Sequence, residues 1–159
     1  MRSNPNYLDA LAAGSAAAVT TTLAIAACGR SEDVSAWAPL NAISHIAWGD
    51  EAAAQVAPSW KYSATGIGLN ACAMLSWGAV YSVLAGGRKH RSVTRALVAG
   101  AATAATAYVV DYHVVPRRLT PGFEKRLSRP AMVSIFASLA IGLVLGSYMR
   151  SQPEARCGA

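Results

Sequence analysis

Apolar residues in this chain gather into four blocks, and polar residues fill the gaps between them. The blocks run from about 10 to 28, 66 to 86, 96 to 115 and 131 to 149. Each approaches the ~20 residues that a helix needs to cross a hydrocarbon core of ~30 Å. The pattern predicts an all-α, polytopic membrane protein. Four transmembrane helices would form a bundle within a single integral membrane domain spanning residues 1–159. Two gap segments, about 37–52 and 121–127, are expected to be short interfacial helices.

Local signals mark the block edges. Asn4 and Pro5 suit a helix start before the first block, and Tyr7 suits the interface. Trp60 and Tyr62 precede the second as aromatic interface anchors, the role also expected of Trp37 and Trp48. Within the second block Asn70, Trp77 and Tyr81 fall on one helical stripe, which should face protein. The third block is the shortest, free of charge only from Ala96 to Val110. Extending it to Val115 takes in Asp111 and His113, a modest cost if both sit at headgroup depth. Pro116 stops it, and Ser128 and Pro130 open the fourth block.

Two ridges of small residues run along the last two blocks: Ala96, Gly100 and Ala104, then Ser138, Gly142 and Gly146. Spacing by four puts each set on one helix face, where small side chains let backbones approach closely. These ridges are expected to be helix contacts, inside the chain or with another subunit. Leu143, off the ridge, is expected to face lipid.

The stretch "WAPLNAISHIAWGDEA", residues 37 to 52, is the richest in polar chemistry. Read as a helix from Pro39, it sets Leu40, Ile43 and Ile46 on one side and Asn41, Ser44 and His45 on the other. That is an interfacial pattern with a tryptophan at each end. In "LTPGFEKRL", Thr120 and Pro121 can start a short surface helix that pairs Phe123 with Leu127.

Composition agrees with membrane residence. The chain is 53% hydrophobic and only 14% charged, where a soluble domain carries about a quarter. Its net charge of +6 fits basic loops beside a membrane, and no nucleic-acid-binding pattern accompanies it. Arg88, Lys89, Arg91 and Arg95 follow the second block and place that loop, with both termini, in the cytoplasm. The same rule conflicts with the third loop, which holds Arg117, Arg118, Lys125, Arg126 and Arg129. Either the third block is a re-entrant hairpin, or this loop lies outside and is neutralised by Glu32, Asp33, Asp50 and Glu51 of the first loop. The second arrangement is preferred because it gives a simple four-span bundle.

Candidate chemistry is sparse. "IAAC" ending at Cys28 resembles a lipobox, but Arg2 alone and Asp9 make a poor signal-peptide start. Cys72 is expected to be a small packing residue. A metal would draw on His45, Asp50, Glu51, Asp111 and His113, yet none stands at a metal-ligand spacing, and no metal is expected. No histidine lies deep in a span, as a haem would require, and no nucleotide or hydrolase motif occurs. No cofactor is expected beyond bound lipid, and no catalytic residue is assigned.

The segments "APLNAISHIAWGDEA" and "DYHVVPRRLTPGFEKRLS", the latter before a final apolar span, resemble small uncharacterised inner-membrane proteins of proteobacteria. The resemblance covers most of the chain from Trp37 onward. It implies a bacterial inner-membrane protein with this architecture and supplies no activity. It also implies a histidine and an acid in the second span, near Asn70 and Ser82, which this chain lacks. The expected function is a structural or accessory subunit that packs with other membrane proteins or with itself. The alternatives are an oligomeric transporter or channel component, or an enzyme or metal-binding protein using the region of His45, Asp111 and His113.

Overall fold

The computed structural model describes residues 7–32, 35–86 and 92–151. In chain order its helices are α1 (Tyr7–Glu32), α2 (Ala38–Ile43), α3 (His45–Trp48), α4 (Thr65–Ala85), α5 (Val93–Val109) and α6 (Arg129–Ser151). A π-helical turn, Trp60–Ala64, leads into α4, and another, Val110–Val114, prolongs α5. Counting these turns, four segments are long and apolar enough to cross a membrane: Tyr7–Glu32, Trp60–Ala85, Val93–Val114 and Arg129–Arg150. The third holds 22 residues, so it rises about 33 Å as one continuous helix. It is not a hairpin, and every expected span is present and longer than its apolar block.

Local chemistry sets the ends. Ser92 Oγ accepts the Arg95 amide at 3.2 Å and caps α5. Ser59 Oγ accepts the Tyr62 amide at 3.0 Å and starts the turn before α4. Gly86, in the left-handed region at φ 61°, ends α4.

The four long helices form an up-and-down ring. α1 packs along α6 and α4, and α5 closes the ring between α4 and α6. The loop before α4 and the loop before α6 therefore share one end of the bundle. The residues of α2 pack on the turn Phe123–Lys125 there.

Small residues let the helices meet. A β-carbon on Gly142 would lie 2.5 Å from the Ala17 Cα, and one on Gly146 would strike the Ala12 carbonyl oxygen. The ridge of Ser138, Gly142 and Gly146 is thus the seam between α6 and α1. Thr20 Oγ1 donates to the Ser138 carbonyl at 2.9 Å across it. Gly100 sits against Val144 and Ala140 of α6, with Ala96 and Ala104 also buried. Both ridges are spent inside the chain. A third close approach, Gly14 of α1 against Gly78 of α4, escaped the sequence reading. Its two glycines are far apart in sequence, and nothing local pairs Gly14 with Gly78.

Polar side chains tie the same helices. Asn70 Nδ2 donates to Thr21 Oγ1 at 2.9 Å and Thr22 Oγ1 at 3.1 Å, linking α4 to α1. The Tyr81 hydroxyl meets Ser147 Oγ at 3.1 Å, linking α4 to α6. Asp9 and Arg150 pair at 3.0 Å between the first and last helices. Asn70 and Tyr81 are buried and Trp77 packs against the core, as their shared stripe predicts.

Some expectations are corrected. Leu143 faces the core with no exposure, because the α1–α6 seam is broad enough to cover both sides of the glycine ridge. Cys72 lies on the exposed side of α4. The surface helix expected at 121–127 is a single 3-10 turn, Phe123–Lys125, preceded by Gly122 at φ 90°. Asn4, Pro5, Asp33 and the basic residues Arg88, Lys89 and Arg91 lie outside the described residues.

Candidate functional site

The stretch singled out in the sequence is a plug over one end of the bundle. It is not one helix lying on a surface. Residues 38–43 and 45–48 form two short helices broken at Ser44, and every residue from Ala38 to His45 is buried. Leu40 and Ile43 join a small core with Ile25, Phe123, Leu127 and Ile135. The side expected to be polar and exposed is buried too, because Asn41 folds the following loop over it.

Asn41 is the bracket of this plug. Its Nδ2 donates to the carbonyls of Gln55 at 3.0 Å and Ala57 at 2.9 Å, and its Oδ1 accepts the Ser63 hydroxyl at 2.6 Å. Ser63 Oγ in turn accepts the Ser59 amide at 2.9 Å. One amide thus ties down the loop just after its 3-10 turn, Asp50–Ala54, and satisfies two of its carbonyls.

His45 is buried beside it. Its Nδ1 lies 2.9 Å from the Ala42 carbonyl, which can only accept, so Nδ1 carries the proton. Its Nε2 is buried without a hydrogen-bond partner. The ring lies against Gly122, where a β-carbon would stand 2.5 Å from Nδ1. The bond goes to this backbone carbonyl and not to the Asn41 or Asp111 side chain.

The charged residues find partners both across the two loops and within the first. Lys125 Nζ meets Asp50 Oδ1 at 2.6 Å, and Glu32 accepts the Ser128 hydroxyl at 2.7 Å and amide at 2.9 Å. Glu51 accepts Lys61 at 3.1 Å and the Tyr62 hydroxyl at 2.9 Å. The Lys61 ammonium also stands 5.1 Å from the Trp48 ring centroid. Lys125 holds the Asp50 carboxyl below its ordinary value, and the hydrogen bonds from Tyr62 and then Lys61 do the same for Glu51. Trp37, Trp48 and Trp60 are exposed around this end, and Tyr62 is half-buried.

The five residues named as possible metal ligands share this end without converging. His45 is under Gly122, Asp50 and Glu51 are in separate ion pairs, and His113 stacks edge-on against Tyr108 at 5.9 Å. Among the described residues, no three of His, Cys, Asp or Glu come together as a metal-holding group. Asp111 points elsewhere, into a cavity of about 120 Å³ beneath the plug. Thr21 and Asn70 supply the other polar walls, and Ile43, Phe123 and Phe136 are among the apolar ones.

A larger recess of about 1140 Å³ opens sideways between α5 and α6. Alanines floor it: Ala101, Ala104, Ala105, Ala137 and Ala140. Leu97 and Val144 stand at one end, and Tyr108, Met132, Phe136 and Arg129 at the other. Sequence reading missed it because it depends on how far two helices splay. Comparison with family models, with curated proteins and with solved structures gives no match.

Proposed function

We propose that this protein is a structural or accessory subunit of the bacterial inner membrane, working by lateral association with other membrane constituents. Both termini and the loop between α4 and α5 face the cytoplasm in this reading, and the plugged end faces the periplasm. The observation that carries it is the recess between α5 and α6. The buried polar side chains of the described bundle mostly find their hydrogen bonds inside it, whereas this apolar recess opens along the bilayer plane. An embedded surface of this kind suits a membrane neighbour better than a soluble substrate.

The test is site-specific photo-crosslinking in cells. A photoreactive residue at Ala105 or Ala137, in the recess, should give a discrete protein adduct of fixed mass. The same residue at Val19 or Leu23, on the exposed face of α1, should not. Equal adducts from both faces, or none from the recess, would defeat the reading.

Asp111 beside the internal cavity favours a second reading, a component of an oligomeric transporter or channel, because a carboxyl at membrane depth is costly to keep without use. Its test is proton or cation flux in vesicles, lost in Asp111→Asn.

A further inference from the structure

We infer that the recess between α5 and α6 is a seat for an anionic phospholipid, with the phosphate on Arg129 and an acyl chain along the alanine floor. The inference rests on the reading that this face is the associating one, and it names the first neighbour.

Charge comes first. Arg129 lines one end of the recess, is exposed, and makes no ion pair among the described residues. The nearby carboxylate Glu124 is occupied, accepting hydroxyls from Thr120 at 2.9 Å and Tyr112 at 3.3 Å. An arginine fork at the water edge of an apolar trough matches a phosphate diester.

The walls agree with that depth. Tyr108, Tyr112 and Phe136 cluster at the Arg129 end, with Tyr108 and Phe136 edge-to-face at 5.5 Å and Tyr112 and Phe136 at 6.2 Å. Aromatic rings belong where hydrocarbon meets headgroups. Below them the floor is alanine, with no polar side chain lining it as far as Val144.

Length agrees as well. Arg129 to Val144 is 15 residues along α6, which as helix covers about 22 Å. Half of a ~30 Å hydrocarbon core is ~15 Å, so the trough takes a chain over the full depth of one leaflet. A neighbouring helix packed there with no lipid between would press the Arg129 guanidinium against apolar surface, with the desolvation cost of an unpaired charge.

The experiment uses the full chain reconstituted in equal phosphatidylglycerol and phosphatidylcholine, extracted in mild detergent and weighed by native mass spectrometry. Wild type should retain one phosphatidylglycerol per chain in preference to phosphatidylcholine. Arg129→Gln should keep a bound lipid but lower that preference roughly fivefold, the worth of one basic side chain near an anionic surface. Ala105→Phe, which fills the trough from an exposed position, should lose retention of both lipids, while Val98→Phe, outside it, should not. Equal retention of the two lipids by wild type, or unchanged preference in Arg129→Gln, would overturn the inference. So would a dimer that Ala105→Phe dissociates, since the trough would then seat a second copy. Protein crosslinks from Ala137 that persist without lipid would leave the accessory reading standing and sink this one. Lipid retention without any protein crosslink would do the reverse.

Discussion

Asp50 and Lys125, 75 residues apart in sequence, meet at 2.6 Å at one end of the bundle. Their contact puts the first and third loops on one side. Of the acids expected to neutralise the basic third loop, Asp50 pairs with it, while Glu51 pairs with Lys61 of its own loop. Single cysteines at Ser92 and Thr120, in a background lacking Cys28, Cys72 and Cys157, should therefore label from opposite sides. Thr120 should react with a membrane-impermeant reagent applied from the periplasm, and Ser92 only after the membrane is opened. Labelling of both from one side would contradict the bundle.

The same ion pair has a pH signature. Asp50 and Glu51 both titrate below their ordinary values in the folded chain. A depressed carboxyl contributes stability that is complete above its unfolded value and lost as pH falls through the folded one. Hydrogen exchange at residues 49–55, corrected for intrinsic rate, should thus rise as pH drops from about 6 to about 3. Both groups are exposed, so the effect should be small and should shrink in ~0.5 M salt. Lys125→Ala should abolish the Asp50 part and leave the Glu51 part. An exchange rate flat across that range would refute the assignment.

Bulk at the α1–α6 seam should be costly. Gly142→Leu and Gly146→Leu push backbone against backbone and should each destabilise the bundle by about 2 kcal/mol or more. Leu143→Ala should also cost roughly 2–4 kcal/mol, since that side chain is wholly buried. Gly68 is the control, because an added β-carbon there would meet nothing within 4 Å. Gly68→Ala should be neutral or stabilising by up to about 1 kcal/mol. Unfolding by denaturing detergent reads all four. Equal tolerance at Gly68 and Gly146 would remove the seam from the account.

Asn41→Ala should loosen the plug while sparing the long helices. It strands the Ser63 hydroxyl and the carbonyls of Gln55 and Ala57, at roughly 1–3 kcal/mol for each group that water cannot reach. Asn41→Asp should be no better, because a carboxylate cannot donate to the two carbonyls. Limited proteolysis should cut between residues 49 and 59 in both variants and not in wild type. Wild-type resistance in either would show that the bracket is dispensable.

The four spans were legible because a membrane imposes a length and an apolar composition on any helix that crosses it, and both are properties of consecutive residues. The ridge of Ser138, Gly142 and Gly146 was legible for a similar reason, since spacing by four fixes a common face. Its partner was not: nothing near Gly142 in sequence says that Ala17 of α1 lies opposite it. Asn41 and His45 show the same limit in the first loop. Their spacing from Leu40 and Ile43 predicts a polar, wet side, and a local pattern carries no information about a chain segment that returns to cover it. The Asn41 bond to Ser63 and the Gly122 backbone over the His45 ring bury that side through contacts made across 22 and 77 positions. The recess between α5 and α6 is a gap between surfaces, set by how α1 and α4 hold the other two helices apart. Residue order determined which segments enter the membrane. Tertiary packing decided which of their faces remain open to a neighbour.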